Sequence, residues 1–157
     1  MIDTDRLLRD LFDHRVTVRA AAAHALGRSG VIDAVPILTS TLNDDHKKVR
    51  AAAALALGRI GDKKAVPSLI VRLKDPEPEV RMAAMVALGR LKDLSAVAPL
   101  IACLHDRDTR VRIGSVETLA VLGDPNAIRS ISDLRNDRFS DVREAAERAI
   151  GRLSKKR

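Results

Sequence analysis

The chain has 157 residues, of which 46% are hydrophobic and 31% charged, and its formal net charge is +7 at pH 7. This length and apolar content predict a folded domain and argue against a disordered chain. The single Cys103 excludes a framework of internal disulfides. No apolar run approaches the ~20 residues that a membrane-spanning helix needs, so we expect a cytoplasmic protein.

The sequence repeats with a fixed period. The dipeptide Val-Arg begins at positions 18, 49, 80, 111 and 142, which are 31 residues apart. A period of this size is typical of stacked helical repeats, in which no unit buries its apolar face alone. The chain opens on the second half of a repeat, because Leu7 and Leu11 precede Leu38 and Leu42 by the same spacing.

Apolar periodicity predicts ten helices, with A and B helices alternating after an opening half-repeat. Glycines such as Gly61 are predicted to adopt the left-handed backbone conformation that ends an A helix. Asp62 is predicted to cap the N-terminus of the following B helix. The expected helices cover residues 4–12, 16–28, 33–42, 47–60, 64–74, 78–91, 95–105, 109–122, 126–136 and 140–153. We expect one domain over residues 1–157, with a half-repeat at 1–13, full repeats over about 14–137, a final helix at 138–153 and a basic tail at 154–157.

Each A helix carries an apolar stripe at helical spacing. The first one comprises Val18, Ala21, Ala22, Ala25 and Leu26, and the same positions recur 31 and 62 residues later. This i, i+3, i+4, i+7, i+8 pattern predicts the buried face of an amphipathic helix. Because alanine dominates the stripe, neighbouring helices are expected to pack closely.

The best-formed repeat lies at residues 44–73 and reads Asp-x-x-x-x-Val-Arg-x-Ala-Ala-x-x-Ala-Leu-Gly-x-x-Gly-Asp-x-x-Ala-Val-Pro-x-Leu-Ile-x-x-Leu. It resembles the short HEAT repeats of phycobilin-lyase-like proteins, and it is similar to the repeat of designed alpha-helical repeat binders. The resemblance implies an all-α fold, an alpha-alpha superhelix of antiparallel helix pairs with A helices on the convex side and B helices on the concave side. It also implies that the protein holds protein partners, although a few such proteins are enzymes or enzyme subunits.

Two charged residue types recur in step with the repeat. A planar guanidinium can satisfy several acceptors at once, so we interpret these residues as a structural ladder that joins neighbouring repeats, rather than as a ligand site. The ladder comprises Arg19, Arg50, Arg81, Arg112 and Arg143 together with Asp13, Asp44, Asp75, Asp106 and Asp137.

No catalytic or metal-binding constellation is evident in the sequence. The histidines, at positions 14, 24, 46 and 105, occupy non-equivalent repeat positions, whereas a metal site needs three or four converging ligands. We therefore predict a protein that is not an enzyme and that has neither a cofactor nor a metal. A non-catalytic or regulatory subunit of a lyase-like enzyme is a third hypothesis, which rests on the resemblance alone.

Two surfaces are candidates for binding a protein partner, and we predict an interaction scaffold with a homodimer as a secondary hypothesis. Aliphatic residues opposite the buried stripe of the A helices suggest a patch on the convex side, unless they fill the grooves between adjacent helices. This patch comprises Leu55, Met82, Val86 and Ile113. The concave candidates on the B helices are Arg6, Arg9, Lys64, Ser68, Arg72 and Ser130.

Nucleic-acid binding is the alternative function. Its support is the basic tail and a cluster in the second repeat, since lysine and arginine bind phosphates without reading sequence. Base stacking uses aromatic side chains, and the chain has only Phe12 and Phe139. The cluster comprises Lys47, Lys48, Lys63, Lys64, Arg72 and Lys74.

The composition also bears on thermal stability. Few amide side chains and many arginines favour a heat-stable protein.

Overall fold

A computed structural model describes residues 3–155, and within that range it contains ten α-helices and no strand. The predicted all-α repeat fold is confirmed. The helices are α1 Thr4–Asp10, α2 Val16–Ser29, α3 Val35–Thr41, α4 Lys47–Ile60, α5 Val66–Arg72, α6 Pro78–Leu91, α7 Val97–Cys103, α8 Thr109–Leu122, α9 Ala127–Ser132 and α10 Ser140–Ser154. The predicted half-repeat and basic tail also include residues 1–2 and 156–157, which lie outside the described range.

Short 3-10 turns extend the B helices. They precede α3, α5 and α7 at Ile32–Ala34, Lys63–Ala65 and Leu94–Ala96, and one follows α9 at Asp133–Asn136. In two of these turns, the side chains of Asp62 and Asp93 accept hydrogen bonds from the N–H groups of Lys64 and Ser95, as the sequence predicts for capping residues. Within the described residues, no helix has the length and hydropathy needed to cross a membrane.

The chain forms two compact units, one ending at Leu91 and one beginning at Lys92. In the first unit the A helices α2, α4 and α6 pack side by side, and the B helices α1, α3 and α5 pack against them. In the second unit α8 packs against α7 and α10, and α10 also contacts α9. The single-domain organisation inferred from the sequence stays a prediction.

The apolar stripe of the A helices is buried in α4 and α6 but only partly in α2. In α4 the stripe from Val49 to Leu57 is buried at all five predicted positions, and Ala54 is buried as well. In α2, by contrast, Ala21 is exposed and Val18 and Ala25 are half-buried. The prediction was therefore wrong for part of α2, because among the described residues no further A helix packs on that side.

The glycines near the ends of the A helices have two different roles. Gly30, Gly61 and Gly123 adopt positive φ angles of 66°, 84° and 78°, as the left-handed C-caps predicted for them require. Gly27 and Gly58, three residues earlier, are helical and allow close packing instead. A Cβ atom added at Gly27 would lie 2.6 Å from the Cα atom of Ala56 in the next A helix.

Lys92 occupies the position of the repeat at which other A helices end in glycine. It lies 31 residues after Gly61 and has a φ angle of 51°. Because a side chain in the left-handed region costs roughly 1 kcal/mol, Lys92→Gly is expected to raise the free energy of unfolding by about 0.5 kcal/mol after the larger entropy of unfolded glycine is offset.

Chemical denaturation of the purified variant measures this gain. The converse substitution, Gly61→Ala, is the matched control, since no atom lies within 4 Å of the added Cβ and only the backbone is strained. It should cost about 1 kcal/mol. Equal stabilities for Lys92→Gly and wild type would contradict the assignment of strain to this position.

Candidate functional site

The ladder residues of the first unit bind across neighbouring repeats. The Nε and Nη2 atoms of Arg50 donate to the two carboxylate oxygens of Asp75, both at 2.9 Å. Its Nη1 atom donates to the backbone oxygens of Asp44 and Asp45 at 2.9 and 3.0 Å. Arg19 contacts the carboxylate of Asp44 in the same two-pronged way, at 2.7 and 3.0 Å. Each arginine thus joins the loop of its own repeat to that of the next.

The same arrangement recurs along the chain. In the second unit Arg112 donates to the carboxylate of Asp137 at 2.9 and 3.0 Å and to the backbone oxygen of Asp106 at 2.9 Å. Arg81 and Arg143 each donate through Nη1 to the backbone oxygen of the aspartate six residues earlier, at 2.7 Å. Each ladder aspartate also accepts the N–H of the residue two positions later, at residues 15, 46, 77, 108 and 139.

These contacts occupy the charged groups of the ladder. Burial by itself raises the pKa of Asp75, but the hydrogen bonds from Arg50 and from the N–H of Glu77 outweigh it and hold the pKa below its usual value. The pKa values of Asp44 and Asp137 are lowered by the same balance of burial against hydrogen bonding. Carboxylates that stay ionised and paired in this way stabilise the fold and offer little to a ligand.

The A helices of the first unit form a groove of about 380 Å³, which we call the A-helix groove. Leu55, which the sequence placed on the convex side, lines this groove between the A helices. Lys47 donates to Glu77 at 2.8 Å and lies 3.2 Å from Glu79, so part of the charge around the groove is neutralised. The lining residues are Ala20, His24, Lys47, Lys48, Ala51, Ala52, Leu55 and Glu79.

His24 contributes an imidazole side chain to the lining of the A-helix groove. Burial, followed by the positive charges of Arg59 and Arg28, lowers the pKa of His24 below its usual value of 6.5. The Nη1 atom of Arg59 lies 3.4 Å from His24 Nδ1. The lowered pKa favours the neutral imidazole at pH 7, so His24 joins the alanines and Leu55 in the uncharged part of a lining that also includes Lys47, Lys48 and Glu79.

The other members of the predicted convex patch differ in exposure. In α6, Met82 is half-buried and Val86 is 45% exposed. Ile113 is half-buried on α8, in the second unit. Within the first unit, Leu55 thus lines a groove, Met82 is half-buried and Val86 is exposed, and the use of these residues as a binding patch stays a prediction.

The B helices of the first unit form a smaller groove of about 300 Å³, which we call the B-helix groove. It brings together Ser68 and Arg72 from the sequence-predicted set, but Arg72 donates to the backbone oxygen of Leu42 at 3.2 Å. Val71, another position predicted to face outward from the B helices, lines the same groove and is 56% exposed. Of the remaining candidates, Arg6, Arg9 and Lys64 are exposed and Ser130 is half-buried in the second unit.

The basic cluster of the second repeat divides between the two ends of α4. Lys47 and Lys48 begin this helix, whereas Lys63 and Lys64 follow its other end. Fourteen helical residues separate the ends by about 21 Å. Lys47 is also paired with Glu77, so these four lysines do not form one compact cationic group. Within residues 3–155, no group of three or more histidine, cysteine or carboxylate side chains could hold a metal ion.

Sequence reasoning missed several residues of these surfaces. Glu79 of α6 lines the A-helix groove because it lies near Lys47, 32 residues earlier. The close approach at Gly27 and Gly58 was missed too. The period of 31 could have indicated both, since it places one repeat's residues beside those of the next.

Comparison with known protein families identifies the type of repeat. The family of HEAT repeats matches residues 4–75 and 66–151, which together span most of the chain. The chain belongs to the HEAT-repeat family. The curated protein sequences gave no significant match.

Solved HEAT and related repeat structures are similar over nearly the whole chain. The complex of CpcE and CpcF of phycocyanin lyase from Nostoc sp. PCC7120 contains a chain that is 30% identical, with a TM-score of 0.86 over 99% of this chain. YibA of E. coli is 27% identical, with a TM-score of 0.75 over 96%. The present protein spans 66% and 58% of those two chains. A designed armadillo repeat protein in complex with the peptide (KR)4 is 19% identical, with a TM-score of 0.69 over 94% of this chain and 80% of its own, and shows the fold alone.

Proposed function

We propose that the protein is a non-enzymatic scaffold that binds a partner protein through the A-helix groove. The observation that carries this proposal is the apolar lining at Leu55, Ala51 and Ala20 in a surface cavity of about 380 Å³. Such a cavity accommodates one or two aliphatic side chains of a partner, and burial of a leucine side chain contributes about 1.5–3 kcal/mol. The neutral His24 adds no charge to the apolar part of the cavity.

The repeat architecture supports the same proposal. The arginine–aspartate ladder, the caps and the apolar stripe all serve the fold, which leaves the groove-lining residues for recognition. Lys48 at the rim favours a partner segment that carries a carboxylate beside its aliphatic side chain. Self-association through Leu55, Met82 and Val86 is the homodimeric version of this proposal.

Leu55→Glu is expected to reduce partner capture at least tenfold. The glutamate would place a charge among apolar groups, and each tenfold loss corresponds to about 1.4 kcal/mol. Affinity capture from the source cell, with quantitative mass spectrometry on wild type and variant, measures the loss. Val71→Glu is the matched control, because it adds the same charge at an exposed aliphatic residue of the B-helix groove.

A partner that Val71→Glu loses and Leu55→Glu retains would overturn the assignment to the A-helix groove. Light scattering of wild type against Leu55→Glu/Val86→Glu separates the homodimer from a heterologous partner. A dimer that the double variant dissociates supports self-association, whereas identical monomeric masses contradict it.

A subunit of a lyase assembly is a second candidate, favoured by the 30% identity to a chain of the CpcE–CpcF complex over 99% of the present protein. In that role the chain would hold a catalytic partner or its protein substrate instead of carrying out the chemistry itself. Chromophore attachment to phycocyanin, followed by absorbance, tests it with cells that express the chain, CpcE, CpcF or pairs of them. Attachment that never depends on the chain contradicts this role.

A further inference from the structure

Three exposed arginines recur at one position of the repeat in the first unit. Each follows a glycine in the sequence Leu-Gly-Arg and lies in the last turn of an A helix: Arg28 in α2, Arg59 in α4 and Arg90 in α6. Because these three helices pack side by side, the arginines form a line of positive charge across the first unit. We call the three residues the arginine row.

The arginine row has no acidic partner among residues 3–155. Arg59 contacts an imidazole nitrogen of His24 at 3.4 Å, and no carboxylate in the described range pairs with any of the three arginines. Other exposed arginines, such as Arg15 and Arg110, pair with an aspartate two residues earlier. A helix dipole favours a cation in the last turn, but α8 ends without one, so the fold does not require it. The charge of the row is therefore available to a ligand.

A second row of side chains lies beside the arginines. It occupies the positions four residues earlier on the same helices, about 6 Å away along the helix axis, and we call it the apolar row. It comprises His24, Leu55 and Val86, of which the first two line the A-helix groove. Arg59 contacts His24 of the preceding A helix, and the period of 31 gives Arg90 the same position relative to Leu55. The two rows thus form one surface with a cationic edge and an apolar edge.

We propose that the arginine row and the apolar row together bind an acidic amphipathic helix of a partner protein. Carboxylates on one stripe of that helix pair with the arginines, and aliphatic side chains on the adjoining stripe enter the A-helix groove. A helix presents the same face every seven residues, over about 10.5 Å, which is close to the 8–10 Å that separates the axes of packed helices. One carboxylate in each heptad therefore meets one arginine of the row.

The groove favours a protein helix over the other anionic surfaces. A lipid bilayer or a nucleic-acid duplex contacts exposed arginines, but Leu55 is half-buried and lines a groove that a single projecting side chain can enter. The inference rests on the proposed function, because His24 and Leu55 belong both to the A-helix groove and to the apolar row.

Two synthetic peptides test the requirement for carboxylates. The first is an amphipathic helix of about three heptads, with one glutamate and one neighbouring leucine in each heptad. The second carries glutamine in place of each glutamate. We expect wild type to bind the glutamate peptide at least about tenfold more tightly at low salt, with a preference that decreases as salt is added. Fluorescence anisotropy of the labelled peptides measures both affinities, and equal affinities at low salt would overturn the proposal.

A triple variant identifies the arginines as the cations involved. Arg28→Gln/Arg59→Gln/Arg90→Gln should weaken binding of the glutamate peptide about tenfold or more and leave binding of the glutamine peptide unchanged. All three side chains are exposed, so circular dichroism should be that of wild type.

The matched control removes the same number of exposed positive charges elsewhere. It is Arg9→Gln/Lys64→Gln/Arg129→Gln. This variant should bind the glutamate peptide within about twofold of wild type, because the charges it removes lie outside the arginine row. Equal losses in the two triple variants would show that net charge alone attracts the peptide, and would overturn the proposal.

Two further ligands test the choice of a protein partner. Duplex DNA and vesicles that contain phosphatidylserine are offered to wild type and to the arginine variant. Tighter arginine-dependent binding of either one than of the glutamate peptide would overturn the proposal.

Leu55→Glu separates failure of this inference from failure of the proposed function. Partner capture that Leu55→Glu abolishes but the arginine variant retains would contradict the acidic helix and leave the A-helix groove as the binding site. Capture and peptide binding that Leu55→Glu leaves unchanged would contradict the groove itself.

Discussion

Asp75→Asn is expected to lower the free energy of unfolding by about 3 kcal/mol, because it leaves the buried guanidinium of Arg50 without its carboxylate. Asp75 is only 4% exposed and accepts two hydrogen bonds from Arg50 and one from the N–H of Glu77. For a chain of this length, such a loss corresponds to a decrease in melting temperature of about 6–12 °C. Thermal and urea denaturation measure it.

The matched control is Glu144→Ala, which removes one carboxylate of an ion pair that is exposed on both sides. Its effect is expected to be within about 0.5 kcal/mol, since solvent screens an exposed pair. Similar losses in the two variants would show that the ladder contributes no more than a surface ion pair does.

The pH dependence of stability provides a second readout of the same contact. The folded pKa of Asp75 lies below its usual value, so the ionised form stabilises the native state. This contribution is fully present above the unfolded pKa of about 3.9 and is lost as the pH falls through the lower folded pKa. Wild type should therefore lose stability below about pH 4, and Asp75→Asn should lose less over the same range.

The sequence was sufficient to predict the helices because most repeats carry several local signals that agree. The stripe from Val49 to Leu57, the left-handed glycine at Gly61 and the cap at Asp62 all specify the same helix and the same turn. Because the period of 31 repeats these signals along the chain, most predicted helix ends lie within one or two residues of those in the structure. The ends of the B helices differ most.

The candidate site was less predictable, since it depends on how neighbouring helices meet. Leu55 could be placed opposite the buried stripe, but whether it stood out from the surface or lined a groove depended on the distance between α2 and α4. The exposure of Ala21 was missed for a related reason. Its sequence surroundings are those of the buried Ala52, and only the helix that packs beside it makes the difference.

The distance between neighbouring A helices is set by glycine, at Gly27 for α2 and α4 and at Gly58 for α4 and α6, and Gly58→Ala tests this role in the second pair. A Cβ at Gly58 would lie 2.5 Å from the Cα and 2.7 Å from the Cβ of Ala87, so α4 and α6 must separate or bend to accept it. Overpacking of this kind costs about 1–3 kcal/mol, and we expect the upper end because one of the opposing atoms belongs to the backbone. Urea denaturation measures the loss.

Gly151→Ala is the matched control, because the same substitution at the same repeat position meets no atom within 4 Å. There the higher helix propensity of alanine should raise stability by about 0.5–1 kcal/mol. The two variants are thus expected to change stability in opposite directions. A loss at both positions would mean that alanine is unfavourable at this helix position for local reasons, whereas opposite signs assign the glycine at Gly58 to the contact between neighbouring A helices.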